Sequence, residues 1–192
     1  MSNLEGRVKL LAAPLIRDGA PTTLAQEDQL LLAAWAFKHA VISNHGVLEG
    51  EPMYTRSERQ QFRLSLAVPQ HVHIWIAAFQ GRSRFSGKFD SRYIRSTDSP
   101  PLDDLDFFSH TYVAGHLALQ TLSCRWRSLR NRGRGVRLPE QNEYWDPACQ
   151  RIWPPDPKTI SWPSPKYLGE QTIEPFKDRW MGKIEIEITT RK

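Results

Sequence analysis

The stretch "HVHIWIAAF" (71–79) decides the fold class. Val72, Ile74, Ile76 and Ala78 fall on one side at a period of two, and His71, His73, Trp75 and Phe79 on the other. That alternation is the pattern of a strand with different surroundings on its two faces. Before Pro69 the period is different. Leu4, Val8, Leu11 and Leu15 are spaced four, three and four apart, the stripe of a helix over about residues 3–13. Pro14 is expected to kink or end that helix, because proline has no N–H and crowds the preceding turn. After the turn "RDGAP" (17–21), Thr23 and Gln26 have capping-box spacing, and Glu27 and Asp28 lie where the helix dipole favours acids. Leu30 to Ile42 is apolar on most sides, as expected of a central buried helix. Thr55 and Glu58 repeat the capping-box spacing and open a polar helix to about Leu66.

Downstream of the strand, residues 81–106 are polar and turn-rich and read as a long loop or irregular hairpin. "SHTYVAGHLALQTL" (109–122) reads as a further strand with Val113, Leu117 and Leu119 on one side. "RIWPPDPKTISWPSP" (151–165), with five prolines and two tryptophans, excludes a helix and predicts short extended pieces pinned to the body by Trp153 and Trp162. "TIEPFKDRWM" has the makings of a short helix. "KIEIEIT" (183–189) alternates throughout, as an edge strand able to pair across a dimer would. The expectation is one α+β domain over 1–192. N-terminal helices (1–68) pack on a small, mainly antiparallel sheet (69–192) with a Trp/Pro-rich irregular C-terminal region.

A chain of 192 residues, 40% hydrophobic and 24% charged, can bury a substantial core without covalent staples. No apolar run is long enough to span a bilayer and no signal-peptide pattern opens the chain, so no membrane partner is expected. Two cysteines, Cys124 and Cys149, are too few for the paired knuckles of a structural zinc site and suit a reducing, cytoplasmic setting. The net charge of +5 has a local origin. "CRWRSLRNRGRGVRLP" (124–139) carries Arg125, Arg127, Arg130, Arg132, Arg134 and Arg137 and no acid; the remainder holds 20 basic against 21 acidic residues. Closely spaced arginines bind phosphates bidentately, and Trp126 among them is placed to stack on a base. This Arg-rich loop makes DNA or RNA, held through phosphate contacts without sequence readout, the expected partner.

Other constellations are weaker. His71 and His73 share a strand face, and His110 and His116 would share a face of the second strand, a geometry open to zinc or iron. No carboxylate follows at the usual spacing, and packing against Trp75 and Tyr112 accounts for the same residues. Asp103, Asp104 and Asp106 form an acidic turn without a matching lysine-bearing strand. "SNH" (43–45) has the letters of a nuclease motif, but Asn44 and His45 are expected at a helix end as a C-cap. Neither a phosphate-cradling GxxxxGK[ST] loop nor a GxSxG elbow is present, so no cofactor and no catalytic residue is expected. Trp153 and Trp162 offer a second kind of function, as aromatic anchors of a protein-interaction module that docks on a nuclease or another effector.

Taken in order, "MSNLEGRVK", "EDQLLLAAWAFKHAV", "TRSERQQFR", "VHIWIAAFQG", "YVAGHLALQ" and "RIWPP…ISWPSP" resemble a region of known proteins. It is the part that follows the zinc-supported module in bacterial and phage HNH-endonuclease-like proteins. There a Cys-paired ββα module ends in a phrase like "CNNGWMS" and runs into "LEGRVKP". The resemblance covers residues 1 to about 180 and leaves out "KIEIEITTRK". It implies a companion domain, phage- or defence-associated, that positions nucleic acid or contacts a partner. The HNH module itself has no counterpart in the sequence, because no cysteine pair precedes Leu4 and no HNH triad can be assigned.

Overall fold

The computed structural model of the chain describes residues 4–47, 53–81, 88–95, 105–126, 135–137, 147–155, 159–179 and 187–189. Helix α1 (Leu4–Arg17) buries Leu4, Val8, Ala12 and Leu15, the face its sequence stripe marks. It does not stop at Pro14. The carbonyl that Pro14 leaves without an N–H belongs to Leu10, which is 83% exposed, so water reaches that side of the helix. Fully buried Leu15 holds the last turn in place.

Thr22–Leu24 is a short strand, β1, and so Thr23 does not cap the next helix. Helix α2 (Gln26–Val47) begins instead with Asp28 Oδ2 accepting the Ala25 N–H at 3.0 Å, half of a capping box two residues further on. Its central turns are buried, Leu32 to Phe37 almost completely. The helix also runs past Asn44 and His45, which are therefore not its C-cap. Asn44 is buried and its Oδ1 accepts the Met53 N–H at 3.0 Å, tying the helix to the chain that returns toward α3 (Arg56–Ser65).

The main sheet has five strands: β2 (Val72–Ala78), β3 (Lys88–Arg95), β4 (Leu105–Ala114), β5 (Leu117–Trp126) and β7 (Cys149–Trp153). Their order is β3-β4-β5-β2-β7, antiparallel at every step. Strand β3 lies inside the stretch read from sequence as a loop or irregular hairpin. The stretch 109–122 is not one strand but the two arms of a hairpin, with Ala114 opposite Leu117. Gly115 and His116 form the turn, and φ is +54° at Gly115 alone, the pattern of a type II′ turn with glycine first. The turn is fastened to the end of α1, because the Ile16 carbonyl accepts the His116 N–H at 2.9 Å.

The two faces of the sheet differ. Ile74, Ile76, Leu117, Leu119 and Phe108 face the three N-terminal helices in one hydrophobic core. Trp35 of α2 meets Tyr112 edge-on at 5.4 Å, and His39 stacks on the same ring at 4.6 Å. Ala77, Val113 and Ala118 face the other way, against Ile173 and Phe176 of α4 (Glu170–Asp178). There Arg179 lies over the rings of Trp75 and Phe176 at 4.7 and 4.5 Å. Strand β8 (Ile160–Trp162) pairs with β1. β9 (Glu187–Thr189) pairs with β6 (Gly135–Arg137), which lies inside the arginine segment; residues 183–186 of the expected terminal strand lie outside the described residues. The fold is α+β, as its sequence implies. Cys124 and Cys149 are buried and form no disulfide. Among the described residues no helix is long and apolar enough to cross a membrane.

The hairpin turn yields a direct test. A Cβ on Gly115 would lie 2.0 Å from the Ile16 carbonyl oxygen, on a backbone already at positive φ. Gly115→Ala is therefore expected to destabilise the protein by more than about 1 kcal/mol in urea denaturation. An unchanged midpoint would mean the turn is not held against α1.

Candidate nucleic-acid interface

The candidate interface is built around Tyr54, a buried residue just before α3. Its hydroxyl lies 2.7 Å from Ser123 Oγ on β5, and its ring meets Phe37 of α2 and Phe108 of β4 edge-on at 5.0 and 6.0 Å. Burial pushes the Tyr54 phenol well above its ordinary range, so the group is a neutral hydrogen-bonding partner at any physiological pH. Tyr54 thereby fixes the Met53–Tyr54 peptide against the end of β5.

Two arginines from distant parts of the chain bond the consecutive carbonyls of Met53 and Tyr54. Arg125 Nη1 donates to the Met53 carbonyl at 3.3 Å, and Arg59 Nη1 donates to the Tyr54 carbonyl. The approach of Arg59 depends on how α3 starts and stops. Thr55 Oγ1 accepts the Glu58 N–H at 3.1 Å, while Glu58 Oε2 accepts the Thr55 N–H at 2.7 Å, the full capping box that the sequence spacing implies. At the other end Leu66 takes the left-handed conformation (φ 57°) and its N–H donates to the Phe62 carbonyl at 2.8 Å. Phe62 faces inward against Phe37, ring centroids 4.9 Å apart. The outer face of α3 then carries Arg56, Arg59, Gln60, Arg63 and Leu64, which line an open groove of about 540 Å³. Among the described residues none of these three arginines is ion-paired.

The segment 124–139 is less of a loop than its composition suggests. Arg125 and Trp126 are the last residues of β5, with Arg125 half-buried, and Arg137 ends β6. Arg127, Arg130, Arg132 and Arg134 lie outside the described residues, as do Asp103 and Asp104. Asp106 is buried in β4, directly across from Arg125. The arginines at positions 56, 59 and 63 went unnoticed in the sequence because the segment reads simply as a polar helix. Their spacing of three and four was the available signal, since it puts all three on one helix face.

The histidines do not come together. His71 precedes β2, its Nδ1 3.7 Å from Glu58 Oε1. His73 is on the sheet face turned from the three N-terminal helices, stacked near Trp75 at 6.1 Å. His110 is on the opposite face, in one cross-strand row with Thr121 and Ile74 and parallel to the Phe108 ring at 6.5 Å. His116 is in the hairpin turn, with Nδ1 3.2 Å from the Phe79 carbonyl oxygen. The expected shared face of His110 and His116 is lost because the chain reverses at Gly115 between them. Among the described residues no group of three or more His, Cys, Asp or Glu is placed to hold a metal ion.

The tryptophans expected as docking anchors are also accounted for internally. Trp162 is 2% exposed and packs in the main core, and Trp153 is half-buried with Nε1 donating to the Pro69 carbonyl at 3.1 Å. Trp162 is thus enclosed by the core, whereas Trp153 keeps part of its surface exposed. With the geometry in place, comparison with known proteins adds no relative: no family model, curated protein or solved structure matches the chain.

The buried histidines give the protein an acid-sensitive stability. Burial lowers His73 and His110 from 6.5 to about 4, with Arg151 and then His71 adding to the effect at His73. Between those values the unfolded chain binds protons that the folded chain does not, so stability falls as pH drops from 6.5 toward 4. The loss is at most of the order of 3 kcal/mol per histidine. In urea titrations at pH 7 and pH about 4.5, His110→Gln is expected to show a smaller acid loss than the parent protein. Equal losses would show that His110 is not buried neutral.

Proposed function

We propose that the chain is a non-catalytic nucleic-acid-binding domain, a companion to nuclease modules of the HNH type, that grips phosphates through the arginines of 124–139 and the neighbouring face of α3. One observation carries this reading: Arg59 and Arg125 are held on consecutive carbonyls, those of Tyr54 and Met53. Both guanidinium groups are thereby anchored beside one short stretch of chain, and a phosphate is attracted to the positive charge of each. Arginine suits this better than lysine because its planar fork matches the phosphate oxygens and its charge is permanent.

Kinship with the HNH group rests on the order of sequence phrases, and so does a phage or defence setting. The residue types of the arginine segment 124–139 support backbone contact without base readout. The alternative, a protein-docking module working through Trp153 and Trp162, draws no support from their packing.

The test is a fluorescence-anisotropy titration of the whole chain with single- and double-stranded DNA and RNA, at low and at physiological salt. Binding is expected to weaken steeply with salt, since each phosphate contact releases counterions. Replacing Arg125, Arg127, Arg130, Arg132, Arg134 and Arg137 with alanine is expected to abolish it. Unchanged affinity at moderate salt in a variant with native circular dichroism would reject the assignment.

A further inference from the structure

We infer that α3 is a duplex-docking helix: Arg56, Arg59 and Arg63 contact the phosphate backbone of a double-stranded nucleic acid, with Gln60 and Leu64 against the groove between the strands. This rests on the nucleic-acid reading above and goes beyond it, in assigning a second, rigid surface and one kind of strand.

The first argument is geometric. At about 100° per residue, positions 56, 59 and 63 fall within roughly 60° of one another on the helix and span about 10 Å of its axis. The helix that carries them is capped at both ends and pinned through Phe62, so the row of charges is fixed before any partner arrives. A fixed row loses little entropy on meeting a regular array of phosphates, and a duplex supplies such an array where a pliable single strand does not. An α-helix about 10–12 Å across also matches a major groove about 12 Å wide.

The second argument concerns the other groove residues. Leu64 is 81% exposed beside the arginines, although Phe62 of the same helix is buried. Folding does not use the Leu64 side chain, whereas thymine methyls and sugars offer it apolar contact, and the Gln60 amide can donate to and accept from base edges. A single-strand platform would present aromatic rings for stacking, and no aromatic residue is among the described lining of this groove. An anionic membrane would need a broad apolar face, and Leu64 is the only apolar residue among that lining.

The experiment compares the whole chain with its Arg56→Ala/Arg63→Ala variant, leaving Arg59 because it bonds the Tyr54 carbonyl. Both are titrated against a short duplex and one of its separated strands over a range of salt. On the duplex, the plot of log affinity against log salt is expected to lose about 2 from its slope, near 0.9 for each phosphate contact. On the single strand the change is expected to be small. Leu64→Ala is expected to weaken duplex binding with the slope unchanged. An unaltered duplex slope in the double variant, an equal loss on the single strand, or competition by polyglutamate as strong as by duplex would each overturn the inference. If the double variant behaves as the parent while the six-arginine variant loses binding, the α3 assignment fails and the general function stands. If the parent binds no nucleic acid, both fail together.

Discussion

The hydroxyls of Tyr54 and Ser123 meet at 2.7 Å between the helical layer and the sheet. Around that contact the two parts of the chain lock in register, because the Tyr54 ring is also held edge-on by Phe37 from α2 and Phe108 from β4. A buried hydrogen bond of this kind has a net worth of about 1 kcal/mol, but leaving one partner unsatisfied costs about 1–3 kcal/mol. Its larger effect is positional. It sets the carbonyls of Met53 and Tyr54 where Arg125 and Arg59 respectively reach them, so the arginines of α3 and of the β5 end share one side of the molecule. The candidate interface is thus a consequence of how the core closes.

The same sheet explains why its histidines are not a metal centre. Cross-strand alternation sends His73 and His110 to opposite faces, and the reversal at Gly115 carries His116 to the far end of β5 from His71. Each imidazole is absorbed into local packing, beside Trp75, Phe108, or the Phe79 carbonyl. Their cost is a dependence of stability on pH.

Much of the fold was legible in periodicity. The two-residue alternation of 72–78, the stripe of α1, the apolar run of α2 and the Thr55–Glu58 box all appear where local sequence places them. What escaped was decided by partners distant in sequence. Thr23 has good capping chemistry, yet pairing with Ser161 of β8 draws it into a strand. Asn44 looks like a helix end until Met53 returns to it. Ala114-Gly115 between two apolar runs was a hairpin signal hidden by the continuous alternation across it. For the site, composition exposed the arginine cluster at 124–139, while the three arginines of α3 were diluted among other polar residues. Their spacing of three and four puts them on one face of the helix.

The central claim is that one surface, formed by α3 and the end of β5, meets nucleic acid. Titrating a short DNA duplex into ¹⁵N-labelled protein and following amide chemical shifts tests it most directly. The account predicts that the shifted signals cluster in residues 53–66 and 123–139, with α1, α4 and the hairpin turn at Gly115 unchanged. Shifts centred on α1 or α4, or none at low salt, would contradict it.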